Sequence, residues 1–177
     1  MDAPKLVLSL TAEGLDAYCR ELIRLAPNGG HALAGLVALQ SFVTEMAEPG
    51  SCINPAYKAA QSVIETHVAT TRQRLLNESA DGLARAMREA DLQAVANIHA
   101  SLSRNGFWQA AQQAIQKLDE NELAAAVAWA KSWCREAKQR AEAASGYPDA
   151  LDFKKAGIVP EEYTALVELA RYLESAS

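Results

Sequence analysis

Residues 119–146 read DENELAAAVAWAKSWCREAKQRAEAASG, and this stretch decides the fold class. Asp119 followed by Glu122 three positions later is an aspartate variant of the capping box, which marks the start of a helix. Apolar and small residues then recur at the three-to-four spacing of one helix face, and Gly146 ends the pattern. The stretch therefore predicts a long helix that extends to about Ala144. The residues of its predicted inward seam are Leu123, Val127, Ala130, Cys134, Ala137 and Ala141.

The composition indicates helices in the rest of the chain as well. Of the 177 residues, 36 are alanine and 11 are aromatic, so methyl groups supply much of the 50% hydrophobic content. Abundant alanine, with glycine and proline at the edges of the periodic stretches, is typical of packed helices rather than sheets. We predict an all-α, single-domain, irregular bundle of seven to nine antiparallel helices that is more than about 60% helical. Residues 1–177 form this domain, with residues 146–177 as a short C-terminal helical segment packing on the bundle.

Outside the long helix, the clearest start signals lie near the N-terminus. The first predicted helix begins with Thr11 as its N-cap and ends at Pro27-Asn28-Gly29-Gly30. The third predicted helix begins with Asn54 as its N-cap and Pro55 at its first position. Each of the two shows a single apolar face. The inward residues are Leu15, Tyr18, Cys19, Leu22 and Leu25 for the first helix, and Tyr57, Ala60, Ile64, Val68, Thr71 and Leu75 for the third.

The second predicted helix, from His31 to Glu48, has apolar or small residues around its whole circumference. A helix of this kind is typically surrounded by other helices, so we expect it to be central and the most buried element. On this view, Phe42→Ala costs about 3–5 kcal/mol by leaving a cavity. A stripe of small residues on this helix either lets a neighbouring helix approach closely or only reflects the alanine-rich composition. The stripe consists of Ala34, Ala38 and Ser41, with Gly35 beside it.

Helix boundaries in the middle of the chain are less sharply marked. Ser79 or Asp81 predicts the N-cap of a fourth helix. That helix either continues to Arg104 or restarts at Asp91 as a second N-cap, and we favour a break near Asp91. Asn105-Gly106 then predicts a helix end.

The ends and the cysteines suggest a cytoplasmic protein of a bacterial type. Residues 1–10 have an acid before their single base and only a short apolar run, so they lack both parts of a secretory signal. The uncharged stretch between Arg24 and Glu45 is interrupted by residues 27–30 and is too polar to span a membrane. The odd number of cysteines predicts free, mostly buried thiols. These cysteines are Cys19, Cys52 and Cys134.

No motif for catalysis, metal binding or nucleotide binding stands out. His31, His67 and His99 are each isolated, without a second ligand at the spacing that a helical metal site uses. We therefore interpret them as hydrogen-bonded structural residues. No residue is assigned a catalytic, metal-binding or cofactor-binding role, and no cofactor is expected. We favour a non-enzymatic role and keep an enzymatic role as the alternative.

The long helix carries the most informative aromatic residues. Trp129 and Trp133 lie four positions apart at one margin of its apolar seam, with Glu136 and Arg140 beside them. The sequence from Phe107 to Leu118 predicts a short helix before the long one. If Trp108 from this short helix packs on the pair, the three indoles complete the core. Otherwise they form an exposed aromatic anchor next to charged groups, a composition enriched at protein interfaces. We name Trp129, Trp133, Glu136, Arg140 and Trp108 as candidate protein-binding residues.

The favoured hypothesis is a non-catalytic protein-binding module, such as an inhibitor, immunity or adaptor protein, that acts on another protein through a helical surface. It rests on a small acidic chain without a chemical motif, on its acidic ends, and on the tryptophan pair. The identity of the partner is not encoded in the sequence. The hypothesis is compatible with a homo-oligomer, and no membrane association is expected.

Two alternatives come from other classes of function. The first is a small-molecule sensor or enzyme with a pocket between the first three helices, using Tyr18, His31 or His67, and Cys52 as polar groups. The second is a nucleic-acid-binding regulator that uses a basic strip on the long helix, with Arg85 and Arg88 as helpers. The net charge of −5 argues against that regulator. The strip consists of Lys131, Arg135, Lys138 and Arg140.

Overall fold

The structure is a computed structural model that describes residues 12–45, 55–147 and 150–176. These residues form seven helices and no strand, and 85% of them are helical, which confirms the all-α prediction. The predicted N-caps Thr11 and Asn54, Cys52 and the end of the second predicted helix at Glu48 lie outside the described residues. The helices are α1 (Ala12–Leu25), α2 (Gly29–Glu45), α3 (Pro55–Glu89), α4 (Leu92–Ser101), α5 (Arg104–Ile115), α6 (Glu120–Ser145) and α7 (Pro160–Ala176).

The chain divides into two compact units, Met1–Leu75 and Leu76–Ser177. Helix α3 contributes its first part to unit 1 and its last part to unit 2. Each unit has its own apolar core. That the two units form one domain stays a prediction.

Unit 1 is built around a small core shared by α1, α2 and the first part of α3. Its buried members are Leu15, Cys19, Leu36, Ile64 and Val68, none more than 6% exposed. These confirm the predicted faces of α1 and α3 at their central positions. Tyr18 and Leu25 were expected to point inward, but they are 53% and 66% exposed. The prediction is wrong for these two because the buried face of α1 is narrower than its apolar pattern, with Leu22 and Ile23 packing at its margin.

Helix α2 is not the most buried element, which corrects the sequence expectation. Only Ala32 and Leu36 are buried in this helix, whereas Val37 is 39% exposed and Phe42 is 46% exposed. Among the described residues, core contacts form on one side of α2 only, so its uniformly apolar sequence leaves an apolar face outside this core. The large cost expected for Phe42→Ala presupposed a buried ring, and the ring of Phe42 is exposed in the single chain.

The small-residue stripe of α2 does not make the close helix contact that it suggested within the described residues. Ala34, Ala38 and Ser41 are all exposed. The close approach occurs beside the stripe, at Gly35, where a Cβ atom would lie 2.7 Å from Leu22 Cδ2. Glycine at this position thus lets α1 and α2 pack together.

Unit 2 is centred on Phe107 of α5 and on the inner face of α7. Phe107 is fully buried, and its ring meets His99 edge-on with the ring centroids 4.8 Å apart. Helix α7 is central, because four of its residues have no exposed surface. These are Ala165, Leu166, Leu169 and Leu173.

Most of the buried residues of α5 and α6 are alanines. The seam predicted for α6 is confirmed at Ala130, Ala137 and Ala141, which are at most 2% exposed, while Cys134 is half-buried. Because methyl groups occupy little space, helix backbones can approach each other closely along such a seam. The fully buried alanines on the two helices also include Ala110, Ala111, Ala114 and Ala126.

Helix α3 is continuous through the region where a new N-cap was expected. Ser79 and Asp81 both lie inside it, so the predicted start there is wrong. No proline interrupts this segment, and at Gly82 the missing side chain leaves room for Ile98 of α4, whose Cδ1 would lie 3.0 Å from a Cβ atom there. The predicted break near Asp91 is confirmed. Ala90 has a left-handed φ of 54°, and the Asp91 side chain accepts a hydrogen bond from Ala94 N.

The predicted helix end at Asn105-Gly106 is also wrong. Helix α5 begins at Arg104, because the Ser103 side chain caps it by accepting a hydrogen bond from Gly106 N. Gly106 therefore lies in the first turn of a helix rather than after the last one. A cap from Ser103 outweighs the turn preference of Asn-Gly here.

The start of α6 has the capping box that the sequence predicts. Asp119 Oδ1 accepts a hydrogen bond from Glu122 N at 2.8 Å, and Glu122 Oε2 accepts one from Asp119 N at 3.1 Å. Arg88 of α3 adds a third partner, since its Nε donates to Glu122 Oε1 at 2.7 Å. At the other end, Gly146 takes a left-handed φ of 70°, as a C-terminal glycine does.

Asp119→Ala is expected to lower the free energy of unfolding by about 1–2 kcal/mol, as the loss of an N-cap does. The variant leaves Glu122 N without its side-chain acceptor, while Arg88 still binds Glu122. Urea unfolding followed by circular dichroism measures the change. Asp119→Ser retains a capping oxygen and is expected to recover most of the loss. Equal losses for both variants would contradict a capping role.

Candidate functional site

The tryptophan pair of α6 lies at the edge of the unit 2 core. Trp129 and Trp133 are both half-buried and pack against the main cluster. Trp133 also contacts a smaller cluster around Ile158, and its ring centroid lies 6.4 Å from that of Tyr163. Both indoles therefore contribute to packing and still present part of their surface to solvent.

Trp108 lies apart from this pair. It is 39% exposed on α5 and is the most exposed of the three tryptophans. Among the described residues, no ring contact joins Trp108 to Trp129 or Trp133. The three indoles thus do not form one stacked group, and a binding role for any of them stays a prediction.

The two charged candidates beside the pair have local partners. Glu136 accepts a hydrogen bond from Ser132 Oγ at 2.7 Å. Arg140 Nη2 donates to the carbonyl oxygen of Ala156 at 2.7 Å and so holds the segment that precedes α7. Arg140 therefore has a structural contact in addition to the binding role suggested by the sequence.

Several cations of the proposed nucleic-acid surface are also engaged within unit 2. Lys131 Nζ lies 3.3 Å from Glu174 Oε1, and Lys138 Nζ lies 3.7 Å from Glu142 Oε1. Arg88, a proposed helper, donates to Glu122 and to the carbonyl oxygen of Lys117. The neighbouring carboxylates offset the positive charge, so the described surface offers little support for a phosphate-binding strip.

Two of the histidines join helices through carboxylates. His67 Nε2 of α3 lies 2.6 Å from Asp16 Oδ1 of α1, and His99 Nε2 of α4 lies 3.2 Å from Glu168 Oε2 of α7. Sequence reasoning missed both pairs because their members are 51 and 69 positions apart. In the described residues, no group of three or more histidines, cysteines and carboxylates is arranged to hold a metal ion.

Asp16→Asn is expected to make the stability of the protein less sensitive to acid. The hydrogen bond from His67 lowers the pKa of Asp16 below its ordinary value of 3.8, and Arg20 acts in the same direction. A carboxylate whose pKa falls on folding stabilises the folded state above the unfolded pKa, and this contribution is lost as the pH drops below it. Urea unfolding at neutral and acidic pH measures the difference. Glu65→Gln, at an exposed position of α3, is the control and should retain the wild-type acid dependence.

The described thiols are poor nucleophiles. Cys19 is fully buried and Cys134 is half-buried, and both are free. Burial raises the pKa of each thiol, because the apolar surroundings disfavour the charged thiolate. The prediction of free, mostly buried thiols is confirmed for these two cysteines.

A hollow of about 340 Å³ lies between the end of α1 and the start of α2. It brings together Tyr18 and His31, two of the residues named for a small-molecule pocket, but His67 does not line it. His31 is held by Asn28, whose Oδ1 accepts from the His31 backbone N–H at 3.0 Å and lies 2.9 Å from Nδ1. The remaining lining residues are Glu21, Leu22, Leu25, Ala26 and Pro27.

The exposed side of α2 is the feature that sequence reasoning missed most clearly. We call this surface the outer face of α2 and define it by Ala34, Val37, Ala38, Ser41 and Phe42, all exposed. It carries no charged side chain, and the charged residues nearest to it in the chain are Arg24 and Glu45. The small-residue stripe was the one available signal, but an all-round apolar pattern does not show which side of a helix faces the core.

Compared with models of protein families, with curated proteins and with solved structures, the chain matches none of them. Within the described ranges, no helix combines the length and the apolar character needed to cross a lipid bilayer.

Trp133→Ala is expected to lower the free energy of unfolding by about 2 kcal/mol or more. Truncation of a half-buried indole removes part of the stabilisation that a fully buried indole provides. Trp108→Ala, which removes a more exposed indole, is the matched control and should cost less than about 1 kcal/mol. Thermal and urea unfolding measure both. If Trp133→Ala left stability unchanged, Trp133 would not serve the core, and its role as a binding anchor would gain support.

Proposed function

We propose that this chain is a non-catalytic protein-binding module that acts in the cytoplasm through a helical surface, the outer face of α2. The observation that carries the proposal is the exposure of Val37 and Phe42 on a stretch of α2, from Ala34 to Phe42, that carries no charge. Inhibitor, immunity and adaptor proteins all work in this way, by covering or linking another protein surface.

The physical argument concerns solvent. An apolar side chain left in water costs about 25 cal/mol per Å² relative to a buried one. A face that groups exposed apolar residues on one helix concentrates this cost, and a partner that covers the face removes it. Contiguous exposed apolar patches on folded proteins are for this reason typical of interaction sites.

The composition of the face also suits an interface core. Charged side chains are depleted at the centre of protein interfaces, whereas aromatic residues are enriched there. Phe42 supplies the aromatic group, and no charge needs to be desolvated between Ala34 and Phe42. Trp108, exposed on α5 of unit 2, is a second candidate anchor on a different helix.

Site-specific photo-crosslinking tests the proposal. A photoreactive phenylalanine analogue replaces Phe42 in one variant and Leu151 in the control, whose side chain is 41% exposed in unit 2. After irradiation in the native host, position 42 is expected to give a covalent adduct with a protein that mass spectrometry identifies. Adducts no more abundant at position 42 than at position 151 would overturn the proposal.

A second candidate function is the binding of a small molecule in the hollow between α1 and α2. Its apolar wall and the polar groups of Tyr18 and His31 are the combination that small-molecule sites use. Thermal-shift screening against metabolites tests it, with Tyr18→Ala as the matched variant. A compound that raises the melting temperature of the wild type but not of the variant would favour this function.

A further inference from the structure

We propose that the partner that covers the outer face of α2 is a second copy of this chain, with the two α2 helices packed antiparallel about a two-fold axis at Ala38. This inference rests on the proposed function, because it names the occupant of the same face. It follows from the order of side chains along the face and from the charges at its ends.

The first step is the alignment of the exposed residues. His31, Ala34, Ala38 and Glu45 are all exposed and lie within about 60° of each other around the helix axis, at about 100° per residue. Ser41 and Phe42 lie on either side of this line. The line is about 21 Å long at about 1.5 Å per residue. It points away from the core residues Ala32 and Leu36, which are both fully buried.

The second step is the fit between large and small side chains. A two-fold axis at Ala38 pairs residues of the two copies. A residue that follows Ala38 by a given number of positions in one copy lies opposite the residue that precedes Ala38 by the same number in the other copy. Phe42 of one copy then faces Ala34 of the other, and Ala38 faces its own equivalent. A ring packs over a methyl group at both ends, and the small residues at the centre let the helices approach closely.

The third step is charge complementarity. The same axis places Glu45 of one copy opposite His31 of the other, and this pairing occurs twice. His31 Nδ1 lies 2.9 Å from Asn28 Oδ1, which accepts from the His31 backbone N–H and is thus the amide oxygen. This amide oxygen can only accept, so Nδ1–H of His31 donates to it, and Nε2 is the ring atom left to face Glu45.

Other arrangements of the same helices are less favourable. A parallel pair would place Glu45 beside Glu45 and Phe42 beside Phe42, so like charges would meet and the rings would compete for space. For a chain with a net charge of −5, the uncharged stretch from Ala34 to Phe42 also keeps acidic side chains out of the centre of the contact between two copies. Self-complementarity of this kind is what an interface with two-fold symmetry requires.

Sedimentation velocity on the full chain tests the inference. The wild type is expected to sediment as a dimer of twice its 19.0 kDa mass. Phe42→Glu places a carboxylate over Ala34, and Ala34→Lys places a cation against Phe42. Each is expected to weaken the dimer by about tenfold or more, the size of a moderate interface truncation. Leu151→Glu, the same type of change at an exposed leucine of unit 2, should leave the dimer unchanged.

The double variant Ala34→Lys/Phe42→Glu tests the register. In the antiparallel pair each new lysine faces a new glutamate, so the dimer is expected to be clearly tighter than with either single change. All substituted positions are exposed, and circular dichroism verifies that each variant folds. A double variant no tighter than the single ones would overturn the antiparallel register.

The remaining outcomes separate this inference from the proposed function. A wild type that stays monomeric at about 100 μM would overturn the dimer. If position 42 then crosslinked to a different protein in the host, the protein-binding function would stand without the dimer. Adducts that contain only this chain support the dimer.

Discussion

Phe107→Ala is expected to lower the free energy of unfolding by about 3–5 kcal/mol, the largest loss of any single substitution considered for this protein. Phe107 is fully buried at the centre of unit 2 and contacts His99 edge-on, with Tyr172 on another side at 6.3 Å between ring centroids. Alanine would leave a cavity that the surrounding helices fill only in part. Urea unfolding followed by tryptophan fluorescence is a suitable measurement, because all three tryptophans lie in unit 2.

Phe107→Leu is the matched variant for this prediction. It retains much of the apolar volume but removes the ring, so a smaller loss is expected than for alanine. If Phe107→Ala cost less than about 1 kcal/mol, the cluster around Phe107 would not be the core of unit 2.

Leu36→Ala is expected to cost about 2–5 kcal/mol, the second largest loss, because Leu36 is fully buried in the small core of unit 1. Phe42→Ala, on the same helix, removes more atoms but from a position that is exposed in the single chain, so it should cost less than about 1 kcal/mol at protein concentrations that keep the chain monomeric. The order is the reverse of what side-chain size suggests. Urea unfolding of the two variants side by side, with circular dichroism as the probe, measures it.

A loss for Phe42→Ala as large as that for Leu36→Ala would show that the outer face of α2 is covered. If this loss appeared only at high protein concentration, the cover would be a second copy. If Phe42→Ala and Leu36→Ala lowered the free energy of unfolding equally at all protein concentrations, this result would instead contradict the orientation of α2.

The sequence predicts those parts of the fold that local interactions determine. Asp119 and Glu122 cap α6 through bonds between residues three positions apart, and Asp91 caps α4 in the same way. Such contacts depend on neighbours in the chain alone. The break before α4 and the boundaries of α6 could therefore be derived before the structure was known.

The orientation of helices depends on contacts that the sequence does not display. Helix α2 is apolar on every side, so its pattern lacks the direction that an amphipathic helix provides. Its outer face was missed for this reason. The pairing of His67 with Asp16 depends on how α1 and α3 pack, and their side chains are 51 positions apart. Trp108 is a further example. The sequence predicts that it lies in a helix, but it does not predict that its side chain is exposed.

The alanines along α5 and α6 have a consequence for how this protein diverges during evolution. At Ala110, Ala126 and Ala130 the side chain is fully buried, so a larger residue would force the helix backbones apart. Selection is therefore expected to act there on volume rather than on hydrophobicity, and glycine or serine should be the main replacements. Exposed positions of the same helices are under no such restriction. Distant descendants would share a spacing of small residues even after the rest of their sequences had ceased to resemble each other.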